Sequence, residues 1–330
     1  MITIGLTDHV EGPRDRPSAA IYEEVADLVR LADRLGVRFA WFSEHHAHAH
    51  QGHLPTPLLF ALQLASETER IQLGTGIICL NLRHPLEVAE TVAVADILAK
   101  GRLAPGFGSG STPEEFSLFG LPITDETERH ERFSESLALI QAAWRGDVSG
   151  LWKYAQVPPH QPLPIPQASL PERCWVAVNS VGSAKIAGAT GFNMLFSHLR
   201  TPEQYRQYRA AYQDAGGSGL IAANRPVFVG PTDREAFKQA EPALRTLWRR
   251  FRAEGKIPAE TPEPKHPQSL CDHPINFLVG SPESVALQIQ DLNEQAPFDV
   301  LNVEVRWTGL SHETVRNSLQ LLMEGVRDFG

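Results

Sequence analysis

The chain has 330 residues, 42% of them hydrophobic and 21% charged, with a formal net charge of −9. That balance suits a globular protein with a large core and excludes non-specific binding to nucleic acid, so an anionic ligand would need a local pocket. No apolar run approaches the roughly 20 residues of a membrane span, and the first residues have no basic region leading into a signal-like stretch. Cys79, Cys174 and Cys271 are odd in number and far apart, forming neither a disulfide framework nor a metal pattern. The expectation is a cytoplasmic chain in a reducing compartment.

Strand-like and helix-like segments alternate along the chain. Ile2–Leu6 reads as a strand, and the next segment places Ile21, Val25, Leu28, Leu31, Ala32 and Leu35 at helical spacing. Phe39-Ala40-Trp41-Phe42 is an apolar run fit for a buried strand. Thr56-Pro57 opens a helix, with threonine as N-cap and proline in the first turn. Strands are then predicted over 71–80, 103–108, 174–178, 194–197, 225–229 and 300–305. Helices are predicted over 86–99, 126–144, 183–190, 201–215, 282–294 and 311–326, with Thr232 and Glu235 as a capping pair for one more. Two proline-rich excursions, 151–173 and 255–274, interrupt the pattern.

Eight strands, each followed by a helix, make a (β/α)8 TIM barrel the economical fold, with residues 1–330 as one domain. The alternative is a doubly wound sheet with a second domain, but no composition shift marks a boundary. In a barrel, residues just past each strand share one mouth. Here they are Asp8, Glu44, His45, Gly76, Ser109, Asn179, Ser197, His198, Arg306 and Trp307. They describe a polar pocket with an aromatic wall for a small-molecule substrate.

Glu44-His45-His46 ends the second strand, and a histidine there suits proton transfer near neutrality. His48, His50 and His53 follow closely, but the spacing matches no standard zinc pattern, so no metal is expected. Gly106-Phe107-Gly108-Ser109-Gly110-Ser111 lacks the spacing of a dinucleotide fingerprint. Its glycines either let a flat ligand approach the backbone or make a turn. Ser180-Val181-Gly182-Ser183 joins a strand end to a helix start, where free N–H groups and hydroxyls suit an anion. A plain serine N-cap is the competing reading.

Together these residues resemble the bacterial luciferase-like, flavin-dependent monooxygenases. The likeness begins at Trp41-Phe42-Ser43-Glu44-His45-His46 and runs through Leu73-Gly74-Thr75-Gly76-Ile77-Ile78, Arg83-His84-Pro85, Gly101-Arg102-Leu103, Pro113-Glu114-Glu115-Phe116 and Trp175-Val176-Ala177 to Gly280-Ser281-Pro282-Glu283. It covers nearly the whole chain. The resemblance implies a (β/α)8 barrel binding reduced FMN, which reacts with oxygen through a 4a-hydroperoxy flavin to oxidise a small organic substrate. It also implies a separate flavin reductase and a homodimer. His45 matches the catalytic histidine, with Glu44 setting its orientation or charge. His84 matches a second histidine near the flavin, and Gly76-Ile77 a non-prolyl cis peptide against the flavin ring. Arg129, Ser180 and Ser183 match positions that hold the flavin phosphate.

The chain departs from the family at three places. Ser109 stands where members commonly carry arginine, removing a phosphate-binding cation and suiting loosely bound flavin. Pro105 removes a ladder donor from the fourth strand, which should be irregular there. His198 replaces the tryptophan of luciferase itself. The 255–274 excursion is either a lid or a variable surface loop. Alternatives are a deazaflavin-dependent dehydrogenase on the same fold, a flavin-binding protein without turnover, or a metal-dependent hydrolase.

Overall fold

Alternation along the first strand decides which side chains enter the centre of the molecule. In the computed structural model, Gly5 faces Asn302 and Trp41, so closely that a Cβ would lie 2.3 Å from Asn302 Oδ1. The intervening Ile4 and Leu6 are buried in the large core between strands and helices. The structure describes residues 2–110, 112–121, 125–146, 163–197, 200–253, 255, 257–272 and 276–328.

The strands are β1 (Thr3–Asp8), β2 (Phe39–Phe42), β3 (Gln72–Thr75), β4 (Ile78–Cys79), β5 (Leu103–Ala104), β6 (Gly106–Gly108), β7 (Trp175–Val178), β8 (Asn193–Phe196), β9 (Ile221–Val229), β10 (Leu278–Gly280) and β11 (Val300–Glu304). All pairs are parallel. They run β1–β2–β3–β5, then β4–β6–β7–β8–β9–β11 and back to β1. β3 and β4 are one strand interrupted at Gly76-Ile77, and β5 and β6 one strand interrupted at Pro105. Joined in this way, the strands form a closed eight-stranded parallel barrel, as expected from the sequence. The Pro105 break is the irregularity that the missing donor requires.

Several boundaries differ: β1 runs on to Asp8, two residues past its predicted end, and the largest shift is in β9. β9 begins at Ile221, four residues before the predicted start, and its end, Val227–Val229, leaves the ring to pair with β10. β10 is absent from the sequence reading because three residues carry too little periodicity to register.

The helices are α1 (Ser18–Leu35), α2 (Pro57–Ala65), α3 (Pro85–Leu98), α4 (Pro113–Leu118), α5 (Glu126–Trp144), α6 (Val181–Thr190), α7 (Pro202–Asp214), α8 (Asp233–Ala253), α9 (Pro282–Gln295) and α10 (His312–Asp328). α1 buries Ile21, Val25, Leu28 and Ala32, the stripe read from its sequence. Thr56 precedes α2 but its side chain makes no capping bond, whereas Thr232 Oγ1 accepts from Glu235 N at 3.3 Å. At the barrel's lower end Phe39, Trp41, Ala104, Trp175, Leu195, Ala222 and Val300 fill the interior. A second apolar cluster, on α8, includes Phe228, Trp248, Phe251, Phe277 and Trp307.

Of the two excursions, 151–162 lies outside the described residues. In the second, Ile257 and Leu270 are buried against α8, and Glu263 takes ion pairs from Arg245 (2.9 Å) and Arg249 (2.8 Å). No helix among the described residues is long and apolar enough to cross a membrane.

Candidate active site

The interior parity of each strand continues past its end and selects the mouth residues. On β1 the odd positions point inward, so His9, not Asp8, enters the mouth. Its Nδ1 lies 2.7 Å from Ser43 Oγ and its Nε2 3.2 Å from Glu304 Oε1. The same Glu304 oxygen accepts from Asn224 Nδ2 at 2.8 Å. Burial opposes a charge on His9, but the Glu304 carboxylate, with Glu11 and Asp8, pushes its pKa up to about 9.

His9 is therefore an imidazolium at neutral pH, which sets a stability prediction. Its folded pKa exceeds the ordinary 6.5, so its contribution is complete below about pH 6.5 and disappears as pH rises through about 9. The loss should be on the order of 2–3 kcal/mol. Urea midpoints between pH 6.5 and 9.5 should fall further in the wild type than in His9→Gln; equal falls would reject the assignment.

Asp8 itself is wrapped rather than presented, which corrects its sequence placement as a substrate group. Its carboxylate takes a bidentate pair from Arg306 (Nε to Oδ2 2.8 Å, Nη2 to Oδ1 2.7 Å) and the Val10 N–H at 2.6 Å. Arg306 and Trp307 do line the mouth.

His45 follows β2 on the interior face, its N–H bonded to Leu54 O at 3.0 Å. Gly52 packs on its ring: a Cβ there would sit 2.6 Å from His45 Cβ. The carboxylate facing His45 is Glu115 of α4, 3.6 Å from Nδ1, and it also accepts from His46 N at 2.8 Å. Burial favours protonated Glu115, yet these histidine partners hold its pKa below the ordinary value.

Glu44 does not orient His45, contrary to the role implied by the resemblance. Adjacent residues of an extended chain point opposite ways, and Glu44 instead pairs with His46 Nε2 (3.0 Å) and Arg83 Nη2 (3.1 Å). The loop that follows is strained. Ala47, His48, His50 and Gln51 have φ between 49° and 64°, left-handed values that favour glycine. The Glu11–Gly52 bridge and Gly12 N to Gln51 O (3.1 Å) hold it in place, with His50 against the mouth.

On the opposite rim the Gly76-Ile77 peptide is cis. Ile77 lies on the glycines of β6: a Cβ on Gly108 would be 2.7 Å from Ile77 Cδ1, and one on Gly106 2.3 Å from Thr75 O. These glycines therefore make room for Ile77 and the backbone, leaving a half-buried apolar surface at the mouth. Ser109 O accepts from Asn81 Nδ2 at 2.9 Å, and Gly110 O accepts from Arg129 Nη1 at 3.2 Å. Arg129 Nε is buried and has no acceptor among the described residues.

Next to it starts α6. Ser180 Oγ accepts from Ser183 N at 3.2 Å while Ser183 Oγ accepts from Ser180 N and Asn179 N, each at 3.1 Å. Both hydroxyl oxygens thus accept within a capping box, and the Ser180 O–H and the first-turn amides of Val181 and Gly182 remain to face an anion. His130 closes this corner, 3.0 Å from where a Gly182 Cβ would be. An apolar platform at Ile77 leading to a cationic, amide-lined corner fits a flat ring system with a phosphate tail.

The remaining sequence candidates are less central. His84 is exposed and its Nδ1 accepts from Leu86 N at 3.3 Å as the N-cap of α3. Asn179 is exposed at the end of β7, its carbonyl accepting from Tyr208 Oη at 3.0 Å. Ser197 is half-buried after β8, and His198 lies outside the described residues. The sequence reading missed His9, Glu304 and Glu115. Interior parity extended one residue past β1 would have found His9; nothing local marks Glu115.

The family model described as luciferase-like monooxygenase matches residues 3–299. A flavin-dependent trigonelline monooxygenase, oxygenase component, of Acinetobacter baylyi is 29% identical over 59% of this chain and 54% of its own length. An F420-dependent glucose-6-phosphate dehydrogenase of Beutenbergia cavernae is 33% identical over 54% of this chain and 53% of its own. The chain thus spans about half the length of these two curated relatives. Among solved structures, monooxygenase RslO1 from Streptomyces bottropensis shares the fold with a TM-score of 0.84 at 24% identity, covering 99% of both chains. The oxygenating constituent of 3,6-diketocamphane monooxygenase of Pseudomonas putida, solved with FMN, gives 0.79 at 23% over 98% of this chain and 97% of its own. The chain belongs to the luciferase-like monooxygenase family.

Proposed function

We propose that residues 1–330 act as one domain, the oxygenase half of a two-component monooxygenase that takes reduced FMN from a separate reductase and oxidises a small organic substrate in the cytoplasm. The observation that carries this reading is the Ile77 platform ending at Arg129, Ser180 and the α6 amides. Gly76, Ile77 and Gly108 would support the ring, and Arg129, Ser180, Val181 and Gly182 would hold the phosphate. Reduced FMN supplies the electrons that activate dioxygen. His45, backed by Glu115, would move a proton at the reacting centre, and the His9–Glu304 pair would fix polarity on the far side.

The test is stopped-flow mixing of photoreduced FMN and the protein with oxygenated buffer. Reoxidation slowed relative to free flavin supports the reading; reoxidation at the free rate counts against it. Because Ser109 supplies no cation, Ser109→Arg is expected to tighten binding of oxidised FMN. A charge-assisted hydrogen bond contributes about 1.5–3 kcal/mol, hence roughly 10–100-fold, by titration calorimetry. Unchanged affinity would place the phosphate elsewhere.

A second reading is a deazaflavin-dependent dehydrogenase, favoured by the F420-dependent relatives and by the His45–Glu115 pair, which also suits acid–base work in hydride transfer. Reduction of an added deazaflavin by an alcohol, with no effect on FMN reoxidation, would select it.

We also read the chain as a homodimer. Val94, Ile97 and Leu98 are 43%, 45% and 60% exposed along one face of α3, and Leu59 of α2 is 63% exposed. Leu98→Glu should convert a dimer to a monomer in light scattering; a wild-type monomer would reject the proposal.

A further inference from the structure

The cavity beside His9 and His45 has about 180 Å³ of space and two unlike walls. One is apolar and comes from α8 and the segments before β10 and after β11: Leu247, Phe251, Phe277 and Trp307. Trp307 Nε1 donates to Glu304 O at 2.7 Å, which fixes the indole, and Phe277 lies 4.9 Å from it at 36°. The other wall is charged but internally balanced. Arg306 is held by Asp8 at 2.7 Å, Arg250 by Glu11 at 2.9 Å, and His9 by Glu304 at 3.2 Å.

Three cations thus face three carboxylates. An incoming anion would have to displace a carboxylate from its partner, and an incoming cation would have to displace one of the bases. Among the described residues of these pairs, neither charge gains a counter-charge that is not already committed. Size limits the ligand as well, since a cavity of roughly 150 Å³ accommodates benzene.

We infer that the substrate of the monooxygenase proposed above is a neutral molecule built on one six-membered ring, its ring against Trp307 and Phe277 and a polar substituent toward His9 and Glu304. This rests on the monooxygenase reading for its chemistry, but not for its binding. It sets aside long-chain aldehydes, whose tails would have to leave the half-open cavity, and phosphorylated sugars, which carry charge.

The test is titration calorimetry of the full chain, with and without oxidised FMN, against acetophenone, benzoate, benzylammonium and decanal. Acetophenone should bind at least tenfold more tightly than the other three. Equal or tighter binding of either ion or of decanal, or no binding of acetophenone, would overturn the inference. A variant adds an independent arm. Glu11→Gln releases Arg250 from its partner, so benzoate should gain about tenfold while acetophenone stays within about twofold. No gain for benzoate in a variant with an unchanged circular dichroism spectrum would also overturn it. Acetophenone that binds as expected but is not oxidised with reduced FMN and dioxygen counts against the monooxygenase reading alone.

Discussion

His45→Ala is expected to lower turnover by about 10²–10⁴-fold, the range typical of a removed general acid or base, while FMN affinity changes little. The ring is held for one job. Gly52 lies flush against it, Glu115 stands 3.6 Å from Nδ1, and its edge lines the cavity. None of these contacts reaches the corner formed by Arg129 and Ser180, so flavin binding should survive. Glu115→Gln should cost less, because the ring stays in place. Steady-state rates on a turned-over substrate and calorimetric FMN titration check both variants. Wild-type turnover in His45→Ala would remove the histidine from the mechanism.

The barrel was legible because its signals are long and repeated. The buried β2 run, the α1 stripe and the α5 segment each span enough residues for the apolar period to declare itself. Pro105 announced its own interruption through a missing donor. The site was legible only where one residue carries the chemistry locally, as His45 does at a strand end. His9 was passed over because β1 was ended at Leu6; three more residues of alternation bring His9 inside and turn Asp8 toward Arg306. Glu44 looked like the partner of His45 because it is adjacent in sequence. Adjacency in an extended chain separates side chains, and the carboxylate that reaches His45 comes from Glu115, seventy residues later. Ser180 and Ser183 looked alike in sequence, and the capping box engages both, each hydroxyl oxygen accepting from the other residue's backbone N–H. Long-range partners of this kind leave no periodic trace.

Gly74→Ala should be the most damaging single methyl addition in the barrel, for reasons that begin with its register. Gly74 pairs with Trp41 on one side and Ala104 on the other, at the point where three strands meet the filled interior. A Cβ there would lie 2.0 Å from Ala104 O and 2.7 Å from Trp41 Cδ1 and Nε1. The indole cannot retreat. It is fully buried, stacked on Phe39 at 4.8 Å, edge-on to Trp175 at 5.2 Å, and tied to the same Ala104 O at 3.1 Å. The methyl must therefore push a strand or break that hydrogen bond. Overpacking costs about 1–3 kcal/mol and an orphaned buried N–H about 1–3 more, a total of roughly 2–6 kcal/mol. That is a large share of the 5–15 kcal/mol typical of a folded protein. Urea denaturation should show a much lower midpoint, with loss of soluble protein at the severe end. Gly36→Ala is the control: its Cβ meets nothing within 4 Å, and only its φ of +87° is unfavourable, so about 1 kcal/mol is expected. Trp41→Phe in the Gly74→Ala background removes the indole edge and the tied N–H together, and should recover part of the loss. If Gly74→Ala matches Gly36→Ala in stability, the interior is looser than these distances require and the closed, filled barrel base is wrong.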